Sequence, residues 1–528
     1  MNESLSGHGL DRRMLTLALL GCAAVFLLRV PSFFEPAWHT DEGTFAGVAQ
    51  GIVRGGSLYA EAWESKPPLF LYLYAGIFKV FGAGILQIRI AAAIAAIAMQ
   101  LLVFFTGGYL LGWRKALWAS ILLGVMFAVP FWEGNLALSE IFSLPLACGG
   151  VLILVASSRR GVPSLQAATA AGLLFGLSFL IRQPAVLAMG AAVIWLFLER
   201  RLTMRPFVAM TAAAAAPVLV SLAAFALLGS LHWFWDANVL YFFDYVPAYS
   251  RLHAGLVPML VLPFVVVCVL LGKAWRNGEA MPVWALPALW FSLAYIGALI
   301  NGKDYSHYLL QAFPPLALLL VNLQKPRLPL PHWTVLRQRP AVLVGGALVV
   351  SWLIVIGVVF RDPTGRHWTK GPDYYVHMVS YAIGSESKQE FNAYFDRRVN
   401  TTLNLEEELA RLEAEGKTVY IWGEYPWVYA LSDLVPLSRY VTSTYMLEND
   451  ERFPELMGQL NREPPPFILF FSDVQPRPAG PETRERFARM NRAMTSFVER
   501  RYDAVTKVGN GTVYKLRLSG QVAESGGQ

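Results

Sequence analysis

Charge is what this 528-residue chain has least of. Asp, Glu, Lys and Arg make up 15% of it, against about 25% in ordinary soluble domains. Hydrophobic residues make up 55%. That balance excludes a soluble globular protein and points to a polytopic membrane protein. Cysteine is nearly absent: Cys22, Cys148 and Cys268 all lie in apolar runs, which leaves no disulfide framework and no spaced zinc motif. A P-loop, a G-x-G-x-x-G turn and the residue order of a serine-hydrolase triad are missing too, so direct nucleotide hydrolysis is not expected. The net charge of +7 is not a nucleic-acid signal. It is what basic residues gathered in cytoplasmic loops produce.

Apolar runs are plentiful. A membrane-crossing helix needs about 20 mostly apolar residues. Candidates are 14–34, 86–111, 116–132, 138–157, 165–181, 184–199, 207–229, 255–272, 282–300, 306–323 and 341–360, about 11 spans. The first follows Arg12-Arg13 but lacks a small-residue cleavage site, so it reads as an uncleaved span. With the N-terminus inside, the inner connections carry Arg114-Lys115, Arg159-Arg160, Arg200-Arg201 with Arg205, Lys273 with Arg276, and the basic stretch 325–339. Each obeys the positive-inside rule. The odd count puts the C-terminal tail outside, on the periplasmic or extracellular side of the inner (plasma) membrane. The rarer charges share that face: Asp41, Glu42, Glu64, Lys66, Glu133, Arg182, Asp236, Asp244, Lys303 and Asp304.

The expected organisation is a transmembrane part, 1–361, with a long first external loop at about 35–85, and a soluble extracytoplasmic α/β domain, 362–528. Two stretches of the loop, 43–54 and 69–81, read as amphipathic helices along the bilayer surface. In the tail, 404–415 reads as a charged helix capped by Asn404. The segments 418–422 and 467–471 read as buried strands. Gly423-Glu424-Tyr425-Pro426 follows the first strand without a nucleotide-binding fingerprint.

Ionisable residues beside a bilayer are costly, and their default reading is functional. Asp41-Glu42 stands just past the first span at a helix start, where backbone N–H groups favour carboxylates. Such a carboxylate is a candidate general base. Glu140 stands at the mouth of another span, either as a second acid or as a structural partner of Arg182 or Lys66. Glu64 precedes Lys66-Pro67-Pro68, whose prolines fix the backbone that aims the lysine. Lys66 and Arg182-Gln183 are candidate phosphate ligands. Lys303, Tyr305, His307 and Tyr308 open the tenth span and can reach the same phosphate. Trp233, Trp235, Tyr241, Phe242, Phe243, Tyr245 and Tyr249 crowd the loop 230–254, as sugar-stacking groups or as an interfacial belt. No D-x-D pair occurs in the first external loop, and a divalent cation shared by the acids is left open.

Three strings, His39-Thr40-Asp41-Glu42-Gly43, Arg54-Gly55-Gly56 and Lys66-Pro67-Pro68-Leu69, resemble the first external loop of the GT-C superfamily of glycosyltransferases. The similarity is greatest to bacterial family-39-like enzymes, relatives of protein mannosyltransferases and lipid A aminoarabinose transferases. The run from Gly176 to Pro184 and His307-Tyr308-Leu309-Leu310-Gln311 with Pro314-Pro315 resemble the same group. In the aminoarabinose enzymes an acid directly precedes the lysine; here Ser65 intervenes. The resemblance implies an inverting transfer from a polyprenyl-phosphate sugar to a glycan, lipid or protein acceptor. It places Asp41 on the essential loop acid and Glu140 on a second acid. The competing expectations are a transporter or flippase for lipid-linked glycans and a non-catalytic glycan-binding factor. Charges clustered at one face, and the lack of an internal repeat, favour the enzyme.

Overall fold

The computed structural model describes residues 10–243, 257–301, 305–322, 372–447, 451–471 and 481–517, with a few single residues between them. Helices follow the apolar runs. In chain order they are α1 (Arg12–Arg29), continued by a 3-10 turn to Phe34, α2 (Thr40–Val53), α3 (Pro68–Phe81), α4 (Ile85–Leu111), α5 (Trp113–Ala128), α6 (Ser139–Ser158), α7 (Leu165–Phe179), α8 (Leu187–Leu198) and α9 (Met204–Leu227). Further apolar helices span Val257–Arg276 and Ala285–Leu299, and a 3-10 stretch, Ser306–Ala312, leads into Phe313–Leu320. Among the described residues, four segments are long and apolar enough to cross a membrane: Arg12–Phe34, Ile85–Leu111, Ser139–Ser158 and Met204–Leu227. Shorter apolar helices stand between them. The first ten expected spans fall on these elements, and the eleventh, 341–360, lies outside the described residues apart from single positions.

The packing explains the composition. On α9, Leu219, Val220 and Leu227 are 61%, 69% and 89% exposed. An apolar surface turned outward suits contact with lipid. Its inner face meets α7 so closely that a Cβ on Gly172 would lie 2.1 Å from the Met210 carbonyl oxygen. Small residues let helix backbones approach in this way. The two loop helices were expected to rest on a bilayer surface. Instead α2 is buried along Glu42–Gln50, sandwiched between α3 and the tail, and so belongs to the core.

The tail folds around a five-stranded mixed sheet. Its strands are β1 (Thr418–Trp422), β2 (Val435–Pro436), β3 (Phe467–Phe471), β4 (Tyr502–Val508) and β5 (Gly511–Leu516), in the order β2-β1-β3-β5-β4. β1 runs parallel to β2 and β3, whereas β5 runs antiparallel to β3 and β4. Both expected strands occur at the expected residues. The expected helix starts earlier, spanning Arg398–Arg411, and Asn404 lies inside it rather than capping it. The apolar stripe Val399, Thr402, Leu405 and Leu409 is buried along its whole length. Burial of that stripe carries the helix past the asparagine.

The tail docks on the loop that bears Asp41. The Trp427 indole lies against Gly43, where a Cβ would come within 2.6 Å of its Cδ1. Its Nε1 donates to the His39 carbonyl over 3.0 Å. Arg54 and Gln50 both hold Asp433, and the Trp63 amide donates to the Arg439 carbonyl over 2.9 Å.

Candidate active site

The N-terminus of α2 places two adjacent acids in opposite surroundings. His39 is the N-cap, its Nδ1 accepting from the Glu42 amide over 3.4 Å. Successive residues of a helix point about 100° apart. Glu42 therefore turns inward when Asp41 turns to the open side. The Glu42 carboxylate accepts from Arg89 Nε (2.7 Å) and Nη2 (2.6 Å) and from the Ala137 amide (2.6 Å). Arg89 also holds Glu35 at 3.0 Å, and Glu35 in turn takes Asn135, Trp38 and, from the tail, Tyr374. Arg89, Glu35 and Glu42 have no exposed side-chain surface. Glu42 thus fastens α2 to α4 and does not face a cavity, contrary to its expected place beside Asp41.

Asp41 lines a cavity of about 510 Å³. From the first loop it shares the walls with Glu64, Ser65 and Lys66, from the α7–α8 junction with Arg182 and Gln183, and from beyond α9 with Tyr241, Phe242, Tyr305 and Tyr308. Among the described residues neither the Asp41 carboxylate nor the Lys66 ammonium has a hydrogen bond or ion pair. The Lys66 Nζ stands 5.8 Å from the centre of the Phe45 ring. Its carbonyl accepts from Tyr59 Oη over 2.9 Å, which fixes the loop before Pro67.

Glu64 is 3% exposed. One carboxylate oxygen takes the Ser65 amide and hydroxyl, and the other takes Tyr445 Oη from the tail at 2.5 Å. Burial pushes its carboxyl above the usual range, opposed chiefly by the Lys66 charge. The break between α7 and α8 at Arg182-Gln183-Pro184 aims Arg182 over the Tyr308 ring, 4.7 Å from its centre. Arg182 Nη1 also pairs with Glu140 at 2.8 Å. Glu140 is buried behind Arg182 and is not among the cavity-lining residues. His307 stands in the same rear layer, 2.5 Å from Glu133 and 4.0 Å from Glu140. Lys303, Tyr245, Tyr249 and Asp244 lie outside the described residues.

The sequence reading missed one wall entirely. Arg398, Glu424, Thr442, Thr444 and Tyr445 come from the tail, more than 300 positions after Asp41. Arg398 Nη2 donates to Thr40 Oγ1 (3.1 Å) and Nη1 to the Glu424 carbonyl (3.2 Å). Burial pushes the Glu424 carboxyl up, opposed first by its bonds from Thr444. A sign of this wall was present: Glu424 stands two residues past the end of strand β1, where loops of an α/β sheet carry ligands. Among the described residues no group of three or more His, Cys, Asp or Glu side chains is placed to hold a metal ion.

Residues 65–225 match the profile of the family described as dolichyl-phosphate-mannose-protein mannosyltransferase. The chain resembles the crystal structure of ArnT from Cupriavidus metallidurans bound to undecaprenyl phosphate, at 13% identity and a TM-score of 0.52. That alignment covers 97% of this chain and 99% of the other. A second similar structure is the archaeal oligosaccharyltransferase AglB from Archaeoglobus fulgidus in complex with an inhibitory peptide and a dolichol-phosphate. It is 12% identical with a TM-score of 0.46, covering 88% of this chain and 70% of AglB. No curated protein sequence matches the chain. The fold is the GT-C fold, a multi-pass helical membrane part joined to a small C-terminal sheet domain.

Proposed function

We propose that this chain is an inverting glycosyltransferase that moves a sugar from a polyprenyl-phosphate donor to an extracytoplasmic acceptor. The observation that carries the reading is the pairing, on one cavity, of a carboxylate and an ammonium that have no ion-pair partner among the described residues. Asp41 takes the proton of an acceptor hydroxyl. The oxygen attacks the anomeric carbon from the face opposite the phosphate. The bond from that carbon to the phosphate oxygen breaks, and its electron pair leaves with the phosphate. Lys66 and Arg182 stabilise the charge that gathers there, as preorganised cations do. Glu140 orients Arg182, and Glu133 with His307 backs that pair. Gln183, Tyr305 and Tyr308 shape the donor side, and Lys303 joins them as a further candidate phosphate ligand.

The reading draws support from the undecaprenyl phosphate named with the similar ArnT structure and from the mannosyltransferase profile across 65–225. Nucleotide sugars are confined to the cytoplasm, so an outward-facing transferase needs a lipid carrier. The basic inner loops support a reading in which Asp41 and the tail face the periplasmic or extracellular side. The test reconstitutes the full chain in vesicles with a panel of labelled polyprenyl-phosphate sugars and extracts of the cell envelope. Transfer with inverted anomeric configuration is expected from at least one donor. Retention of configuration would overturn the mechanism, as would label transfer that persists in Asp41→Asn.

A further inference from the structure

Resting on that reading, we infer that the tail's wall of the cavity, Glu424 with Thr442 and Thr444, is a subsite for the hydroxyls of a saccharide, so that the acceptor is a glycan. Glu424 sits at the carboxyl end of β1. The chain leaves β1 for β2 on one side and later returns as β3 on the other. That is a topological switch point, where open α/β sheets bind ligands in the crevice beyond the strand ends. Here the crevice opens onto the cavity that holds Asp41.

The hydrogen bonds show what the wall has left to offer. Glu424 Oε1 is saturated, accepting from Ser443 Oγ (3.2 Å), the Thr444 amide (2.8 Å) and Thr444 Oγ1 (2.7 Å). Oε2 has no hydrogen bond among the described residues. Thr442 is 4% exposed and lines the cavity, yet among the described residues its hydroxyl has no hydrogen-bond partner. Thr444 Oγ1 spends its proton on Glu424 and keeps its acceptor capacity. The rigid wall therefore offers a carboxylate oxygen and two hydroxyl oxygens. Ring hydroxyls, each a donor and an acceptor, match that set.

The charges on this wall argue against an anionic occupant. Glu424 brings a carboxylate, and Arg398, which donates to the Glu424 carbonyl, is already paired with Asp396 over 2.7 Å, so the wall has no free cation to hold an anion. Phosphate has its own place on the Lys66 and Arg182 wall, which other elements build. Tyr445, already bonded to Glu64, bridges the two walls and can present its ring to a sugar face.

The test uses the full chain in lipid nanodiscs. Methyl glycosides of mannose, glucose and galactose are titrated by saturation-transfer NMR, and undecaprenyl phosphate binding is followed separately by native mass spectrometry. Glu424→Gln keeps Oε1 and its three donors but replaces the free carboxylate oxygen with an amide. It is expected to weaken glycoside binding by about 10-fold or more, the loss of one charged hydrogen bond. Thr442→Val keeps shape and removes one hydroxyl, for a loss of roughly 3- to 10-fold. Undecaprenyl phosphate binding is expected to be unchanged in both. Glycoside binding indifferent to both substitutions would overturn the subsite. So would failure of every glycoside where a serine- and threonine-rich peptide binds in a Glu424-dependent way. If glycosides bind as expected but undecaprenyl phosphate does not bind the unaltered chain, the subsite stands and the lipid-phosphate donor falls.

Discussion

Two sets of charges meet at the first turn of α2, and they are built in opposite ways. The inner set, Glu35, Arg89 and Glu42, is closed: its carboxylates are bonded to the guanidinium, to backbone and to neutral side chains. The outer set, around Asp41 and Lys66, is open, with its groups facing a cavity. A buried charge left unpaired is expensive, so closure marks a structural role. An open carboxylate kept beside an open cation has no such account. The difference teaches that in this protein function is read from what the hydrogen bonds leave over, not from which residues are charged.

Asp41→Asn tests the open set most severely. It is expected to lower transfer by about 10²–10⁴-fold, the usual worth of a general base, with the thermal unfolding midpoint unchanged. Activity assays on protein-matched membranes, paired with differential scanning fluorimetry, check both halves. Arg89→Met should do the reverse. Breaking a buried pair costs about 3–5 kcal/mol, so the variant should express poorly and melt early, and any folded fraction should retain turnover. If Arg89→Met melts like the parent chain, the closed set is not structural and the contrast fails.

Lys66→Ala removes the proposed charged partner of the donor phosphate, and a loss of about 1.5–3 kcal/mol in donor binding is expected. It is a cleaner probe than Arg182→Ala, which would also strand the buried Glu140. Gly43→Val pushes a side chain into Trp427. Overpacking of that kind costs about 1–3 kcal/mol and should loosen the tail, read as faster protease cleavage between the membrane part and the tail.

The smallest effect concerns pH. Burial raises the Glu64 carboxyl, so the folded chain binds that proton more tightly than the unfolded chain does. The stability this contributes is complete below the ordinary Glu value and is lost as pH rises through the raised one. Glu64→Gln, which cannot ionise, should gain on the parent chain as pH climbs from 4 to 7 in unfolding scans. A constant difference across that range would place the Glu64 carboxyl in its ordinary range.

Much of this was legible in the sequence because the physics involved is local. Apolar runs locate the helices, and the runs Thr418–Trp422 and Phe467–Phe471 locate two strands with no outside information. The prolines after Lys66 and the break at Arg182 likewise reveal residues that the fold brings together. Asp41 and Glu42 were harder. Adjacent acids are alike in sequence, and only the positions of Arg89 and the Ala137 amide decide which one faces inward. Glu140 was read either as a second acid or as a partner of Arg182, and it pairs with Arg182; it and His307 stand behind Arg182 and Tyr308 rather than on the cavity lining. Of the tail's wall only the place of Glu424 after strand β1 was legible, not its meeting with Asp41. The wall's contribution depends on docking across more than 300 residues, and the docking contacts include an indole on a glycine and a buried carboxylate on a tyrosine.

The strand order has a consequence for how the protein is made. β5, the last strand among the described residues, does not lie at an edge but is inserted between β3 and β4. A ribosome that has completed every membrane helix has therefore still not supplied the strand that pairs with β3. Until it does, β3 has an open edge, and the wall carrying Glu424 and Thr442 rests on an unfinished sheet. The cavity that Asp41 and Lys66 share with that wall is therefore complete only once β5 has paired with β3.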